Sequence, residues 1–211
     1  MECKSKIQIS HFNASDESVR KKQGILGMFN EKATLTFKPF SLQDYGRVLH
    51  SWCNKPYSAK FWNMAGSYEE LEDHFLQRQN FTNVIHTIYF INEQPLAFTE
   101  AYPIIGSELQ EHIPDASDKD YGIHFLMAPP RSILEKYDIS SLPLTFFTLK
   151  QALRNLYQEI PLANIYAEPD LQNNHAISLA KLTGFKKLKN IQLPDKVAAL
   201  MQMDRDEFFL Y

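Results

Sequence analysis

Apolar residues along this chain gather into extended runs and into series at helical spacing. Thr34-Leu35-Thr36-Phe37 opens the first extended run. Leu42, Tyr45, Val48, Leu49 and Trp52 then fall at helical spacing behind Ser41 and Asp44, which together read as an N-cap signal. Ser67-Tyr68-Glu69-Glu70 is a capping box, and Leu71, Phe75 and Arg78 continue one face of a second helix. The aromatic stretch from Trp52 to Trp62, with Pro56 and Tyr57 inside it, is expected to be a loop.

β-branched and aromatic residues run from Val84 to Ile91 and again from Leu96 to Tyr102, joined by Asn92-Glu93-Gln94-Pro95, which predicts an antiparallel hairpin. A loop rich in Glu and Asp follows, and then a strand from Tyr121 to Ala128 that stops at Pro129-Pro130. Leu142, Phe146, Leu149, Leu153 and Leu156 step by four and three, the clearest amphipathic helix, with Pro143 in its first turn where a missing amide costs nothing. A strand at Ala163–Glu168, a helix around Ala176–Leu182 and strands near Phe185–Leu193 and Lys196–Met203 complete the order. The expected class is α/β: one mixed central sheet with helices on both faces, spanning residues 33–211 after an irregular arm over residues 1–32.

Composition narrows the partners. A net charge of −3 gives no basic excess for a phosphate backbone, so nucleic acid is not expected. Lys186, Lys187 and Lys189 follow a predicted helix end, where cations complement the dipole. Cys3 and Cys53 fit no disulfide or metal spacing, and Cys53 reads as structural rather than nucleophilic. His50, His74, His86, His112 and His175 show no metal-like spacing either, so no metal is expected. With no run of signal-peptide or membrane-span length, the expectation is a cytoplasmic protein without a membrane partner.

The segment Tyr166 to Ile177, closing at Gly184-Phe185, carries the functional signal. Pro169 bars Glu168 from helical angles, and Asn173 or Asn174 can cap the following helix. Acids and a capping amide thus gather at the carboxyl end of a strand, the edge where open α/β sheets bind ligands.

The order of elements resembles the GNAT acyltransferase fold. Within it the chain resembles the siderophore-biosynthesis acyltransferases, which move an acyl group from coenzyme A to an N-hydroxylated lysine or diamine, or to a lysine side chain. The residues that carry this likeness are Trp52 and Phe61-Trp62, Glu100 and Tyr102, Tyr121-Gly122-Ile123-His124 with Pro129-Pro130, Glu168-Pro169-Asp170 with Asn173, Gly184-Phe185, and Leu193 to Ala198. The resemblance implies acetyl-CoA or another acyl-CoA as co-substrate and a small amine or hydroxylamine as acceptor. It implies His124 as base or substrate-orienting group with Asp170 as its partner. Leu126, Met127 and Ala128 would offer backbone groups to the pantetheine arm, and Asn173 would cap its helix and touch the same arm. Ser140, Ser141 and Leu142 would present amides to the pyrophosphate. Glu100 would grip the distant end of the acceptor, and Trp62 would wall its aliphatic chain.

The pattern departs from the superfamily at Lys136-Tyr137-Asp138-Ile139-Ser140-Ser141, where a glycine-rich turn is normal and no glycine stands. Two other readings accompany the first, one from the Glu168-Pro169-Asp170 turn with the helix after it, which also resembles resistance enzymes, and one from the missing glycines. One is an aminoglycoside or polyamine N-acetyltransferase, whose acidic cleft would draw on the acids from Glu108 to Asp120. The other is a degenerate member that binds without catalysis.

Overall fold

The computed structural model describes residues 34–62, 64–78, 83–129, 133, 141–161 and 164–210. The arm expected over residues 1–32 and the turn at 136–140 lie outside them.

Among the described residues one sheet holds seven strands in the order β1-β2-β3-β4-β5-β7-β6. These are β1 Leu35–Pro39, β2 Ile85–Ile91, β3 Gln94–Pro103, β4 Tyr121–Met127, β5 Ile165–Ala167, β6 Lys186–Gln192 and β7 Val197–Met203. The helices are α1 Leu42–Cys53, α2 Pro56–Ala59, α3 Tyr68–Arg78, α4 Ser141–Glu159, α5 Asn174–Thr183 and α6 Arg205–Leu210. All strand pairs are antiparallel except β4 with β5. That exception places a parallel seam in the middle of the sheet.

Local chemistry explains most boundaries. Ser41 accepts from the Asp44 amide to start α1, and Ser67 and Glu70 exchange bonds of 3.1 and 2.6 Å to start α3. The β2–β3 turn has positive φ at Asn92 and Glu93, the geometry of a two-residue hairpin. Asn173 caps α5 through the Ala176 amide, and Gly184 ends it at φ 110°, where a side chain would be strained. The expected loop between Trp52 and Trp62 contains the short helix α2, with Pro56 in its first turn and the Ser58 hydroxyl bonded to the Trp52 and Cys53 carbonyls. Helix α6, which the apolar periodicity does not predict, seats Phe208 against Tyr157.

Strand alternation sorts the core onto two faces. Ala101, Ile123, Ile165, Ala199 and Met201 point to the side covered by Leu149, Leu153 and Leu156 of α4, Ala180 of α5 and Phe208 of α6. Their neighbours Tyr102, Tyr166, Ala198 and Leu200 point to the opposite side, with Ile104, Leu109 and Ile113 from the loop after β3. On that second side Phe98 meets Phe75 of α3 and Phe40. Glu100 and His124 share the parity of Phe98 and Tyr102, so the acids and histidine lie on this face.

Candidate active site

The parallel seam opens. β4 pairs with β5 only at Tyr121–Ile165 and Gly122–Tyr166, then runs on to Met127 paired with β3. Beyond Ala167 the other chain stays in register with β7: the Pro169 carbonyl accepts from Ala199, Leu171 donates to Val197, and Asp170 bridges Ala198. A gap therefore separates the C-terminal half of β4 from the Glu168–Asp170 segment. Tyr121 donates toward the β5 side and Ala128 donates to Leu96 on β3. By the alternation of an extended strand, Ile123, Phe125 and Met127 thus turn their backbone groups to the gap.

His124 stands beside this gap. Its Nε2 lies 2.7 Å from Glu168 Oε1 and its Nδ1 lies 3.3 Å from Glu100 Oε1. Glu168 is 6% exposed and Glu100 3%, while the His124 side chain retains 28%, so the ring is the accessible member. Around Glu168 the Tyr102 hydroxyl donates at 3.2 Å and Lys196 Nζ lies at 3.5 Å. Around Glu100 stand Arg78 at 3.2 Å, His86 at 2.8 Å and His74 at 3.9 Å. Adjacent strands thus present His86, Glu100, His124 and Glu168 in turn, and Lys196, just before β7, ends the series.

Each charge in this series supports its neighbours. Burial pushes Glu168 up, but the His124 charge and hydrogen bond, helped by Lys196 and Tyr102, hold its carboxyl down at about 2. Glu100 is likewise opposed by burial, yet bonds from His124, His74 and His86 keep it well below the usual carboxylate range. Burial alone would lower His124; the Glu168 charge, with hydrogen bonds to Glu100 and Glu168, lifts it to about 9. At neutral pH the ring is an imidazolium donating to a carboxylate on each side. It becomes a base once it gives up one proton, and it is then stronger than an ordinary histidine.

The structure brings some expected residues together and separates others. Asp170, expected as the partner of His124, turns back on its own chain, where Oδ1 accepts from the Gln172 amide at 2.6 Å. The partner is Glu168, two residues earlier, which Pro169 keeps extended at the end of β5. Glu100, expected at the far end of an acceptor, sits beside the imidazole with its charge already matched. Trp62 does reach the site, its ring 6.2 Å from His124 and 6.1 Å from Phe98. Of Leu126, Met127 and Ala128, only Met127 turns its backbone to the gap, and its carbonyl accepts from the Tyr57 hydroxyl at 2.7 Å. Asn173 caps α5 as expected, with no contact shown to the gap. Ser141 and Leu142 lie in the first turn of α4, where backbone amides have no partner inside the helix. Ser140 lies outside the described residues. Lys196, Arg78 and His86 were not singled out by the sequence for this site, although Lys196 belongs to the Leu193 to Ala198 motif.

The described residues thus form a central sheet parted at its parallel seam, with a histidine and an acid at the opening. The family model described as Acetyltransferase (GNAT) domain matches residues 42–193, and the chain belongs to that family. Family membership makes acyl-CoA the co-substrate. The β4 edge fits an extended arm carrying amides, because Phe125 and Met127 offer it strand-like backbone groups.

A Schizosaccharomyces pombe protein named "Putative lysine N-acyltransferase" is 23% identical over 177 residues, 83% of this chain and 51% of that protein. The chain thus spans about half the length of this curated relative. Among solved structures, an uncharacterised Bacillus halodurans protein superposes with TM-score 0.74 at 25% identity, over 86% of this chain and 91% of that one. An aminoglycoside acetyltransferase solved with coenzyme A and kanamycin gives TM-score 0.70 at 21% identity, over 84% and 98%, and shares the fold. Among the described residues no helix is long and apolar enough to cross a membrane, and no group of three or more His, Cys, Asp or Glu could hold a metal ion.

Proposed function

We propose that the protein transfers an acyl group from acyl-CoA to the terminal nitrogen of a lysine-type acceptor, the free amine or its N-hydroxylated form, including the corresponding diamines, as a step of siderophore biosynthesis. The observation that carries this reading is the His124–Glu168 pair at the mouth of the β4–β5 gap. Transfer is direct, within a ternary complex. The acceptor nitrogen attacks the thioester carbonyl, and its proton passes to neutral His124. Glu168 steadies the imidazolium that forms. The C–N bond forms as the C–S bond breaks, and the departing thiolate takes the proton back from the imidazolium, which leaves His124 neutral again.

Two features favour a lysine-type acceptor. The carboxylates beside His124 are already matched by Arg78, Lys196 and the histidine, which leaves little unbalanced negative charge for a polycation. The likeness to the Schizosaccharomyces pombe protein, by its name a lysine N-acyltransferase, supports the same choice.

The aminoglycoside or polyamine reading is supported by the shared fold of the kanamycin-bound enzyme. Its expected acidic cleft is weakened, since Glu108 to Asp120 belong to the loop entering β4 at its paired end, and Asp120 is buried against Asn164. Turnover of lysine, N-hydroxylysine, N-hydroxydiamines, spermidine and kanamycin with acetyl-CoA and longer acyl-CoA species separates the readings. The proposal expects lysine-type acceptors to lead by tenfold or more in kcat/KM. Preference for kanamycin or spermidine would overturn it, and failure to bind coenzyme A at all would favour a non-catalytic member.

A further inference from the structure

Glu168 is held through both carboxylate oxygens, and the acyl-transfer scheme calls on only one of its partners. Oε1 lies 2.7 Å from His124 Nε2 and 3.5 Å from Lys196 Nζ, while Oε2 accepts from the Tyr102 hydroxyl at 3.2 Å. An imidazole from β4 and an ammonium from the turn ahead of β7 thus share one oxygen. The Leu193 to Ala198 motif, which the reaction otherwise leaves without a task, fixes that lysine. Its carbonyl accepts from the Leu193 amide at 2.9 Å and from Gln192 Nε2 at 3.3 Å. The next residues are tied to the segment after Glu168, since Val197 accepts from Leu171 and Ala198 bridges Asp170. The Lys196 side chain is 19% exposed and that of Glu168 5%, so solvent screens the pair only in part.

We infer that Lys196 is a positioning residue for acyl transfer: by sharing Glu168 Oε1 with His124 it offsets part of the carboxylate's pull on the imidazolium, so that the ring releases a proton, and becomes a base, at a lower pH than Glu168 alone would allow. The inference rests on the acyltransferase reading of the same site. Two carboxylates, Glu168 and Glu100 of β3, draw the ring toward its charged form. Glu100 is balanced by Arg78 and His74 of α3 and by His86 of β2, and Lys196 does for Glu168 what Arg78 does for Glu100. Tyr102 of β3 bonds Glu168 through a neutral hydroxyl, and Trp62, beside the ring, contributes no charge. A cation one carboxylate away from an imidazolium repels it, and the same cation keeps that carboxylate ionised and in place as the ring changes charge.

The test begins with the protein free of substrate. Proton NMR of the imidazole C–H signals, assigned with His124→Asn and titrated from pH 6 to 10.5, reads the charge of the His124 ring directly. Lys196→Met keeps the length of the side chain and removes its charge, so the His124 titration moves up by about half a pH unit or more. Lys196→Arg restores the charge and holds the titration close to the native one, and Lys196→Gln repeats the upward shift should Lys196→Met fail to fold. An unmoved titration in a folded neutral variant, or one that moves down, overturns the inference. Turnover carries a second signature. At pH 7 the kcat/KM of Lys196→Met falls by about threefold or more, as the upward shift requires, and its ratio to the native value recovers as the pH passes the limb. A lysine that only supports the fold depresses both ends of the profile alike, and one that grips the acceptor raises the acceptor KM while the His124 titration stays where it was; either result contradicts the assignment. Should the NMR shift appear with no acceptor turned over, the acyltransferase reading fails and the action of Lys196 on His124 stands.

Discussion

Replacing Glu168 by Gln removes the charge 2.7 Å from His124 Nε2 while keeping the shape of the side chain. The interval between the ordinary histidine value of 6.5 and about 9 corresponds to roughly 3 kcal/mol of preference for the charged ring. Burial opposes that preference, and the Glu168 charge is the largest contribution in its favour. In Glu168→Gln the His124 titration therefore falls, and with it the strength of the base. General-base catalysis follows the strength of the base, and the variant keeps a weaker one, so kcat should fall by about tenfold at pH 9. KM for acyl-CoA should change by less than about threefold, since no contact to the cofactor passes through this carboxylate. The assay is thiol release, followed with a chromogenic disulfide from pH 5.5 to 10, alongside a thermal melt to verify folding. In the native protein kcat/KM climbs toward pH 9; in the variant the acid limb moves down by more than one pH unit. A folded variant with its limb still near pH 9 would refute the coupling of His124 to Glu168.

Three further outcomes follow from the same geometry. His124 is raised above its unfolded value, so its contribution to stability is complete below about pH 6.5 and lost as pH rises through about 9. Glu168 is lowered, so its contribution is complete above about 4.5 and lost as pH falls through about 2. Melting temperature should thus decline between pH 6.5 and 9 in the native protein, and His124→Asn should flatten that decline. Gly122→Ala would place a methyl group within 2.3 to 2.6 Å of the Tyr102 ring, whose hydroxyl bonds Glu168. A loss of about 1–3 kcal/mol in denaturant unfolding, with lower kcat, is expected. Cys53 is fully buried with its thiol pushed up to about 11 by desolvation, so it should resist alkylation at pH 8 until the protein unfolds, and mass spectrometry checks this.

The outline of the sheet was legible in the sequence because its signals were local. The hairpin of β2 and β3, the caps of α1, α3 and α5, and the apolar stripe of α4 follow from spacing and from side chains that bond within a few residues. What escaped depended on contacts distant in sequence. The turn register alone would set Ile85 opposite Glu100; the irregularity between Tyr89 and Phe90 moves His86 there instead. Glu168 and Asp170 share one short acidic motif, and the choice between them rests on where β4 parts from the chain that stays with β7. That parting is set by the pairing of Pro169 and Leu171 with β7 and leaves no periodic trace. Lys196 could not be placed for the same reason, because its approach to Glu168 depends on β7 beginning beside the segment after β5. His124 was recoverable through family likeness rather than pattern, since one histidine in a strand resembles many others.

The most direct measurement is a crystal structure with a stable conjugate in which coenzyme A is joined through its sulfur to the terminal nitrogen of lysine. The pantetheine arm is expected in the β4–β5 gap, bonded to backbone groups of Phe125 and Met127, with the acceptor nitrogen within hydrogen-bonding distance of His124 Nε2 or Glu168. A conjugate seated away from the gap, or one whose nitrogen lies on the α4 side of the sheet, would contradict direct transfer at the His124–Glu168 pair.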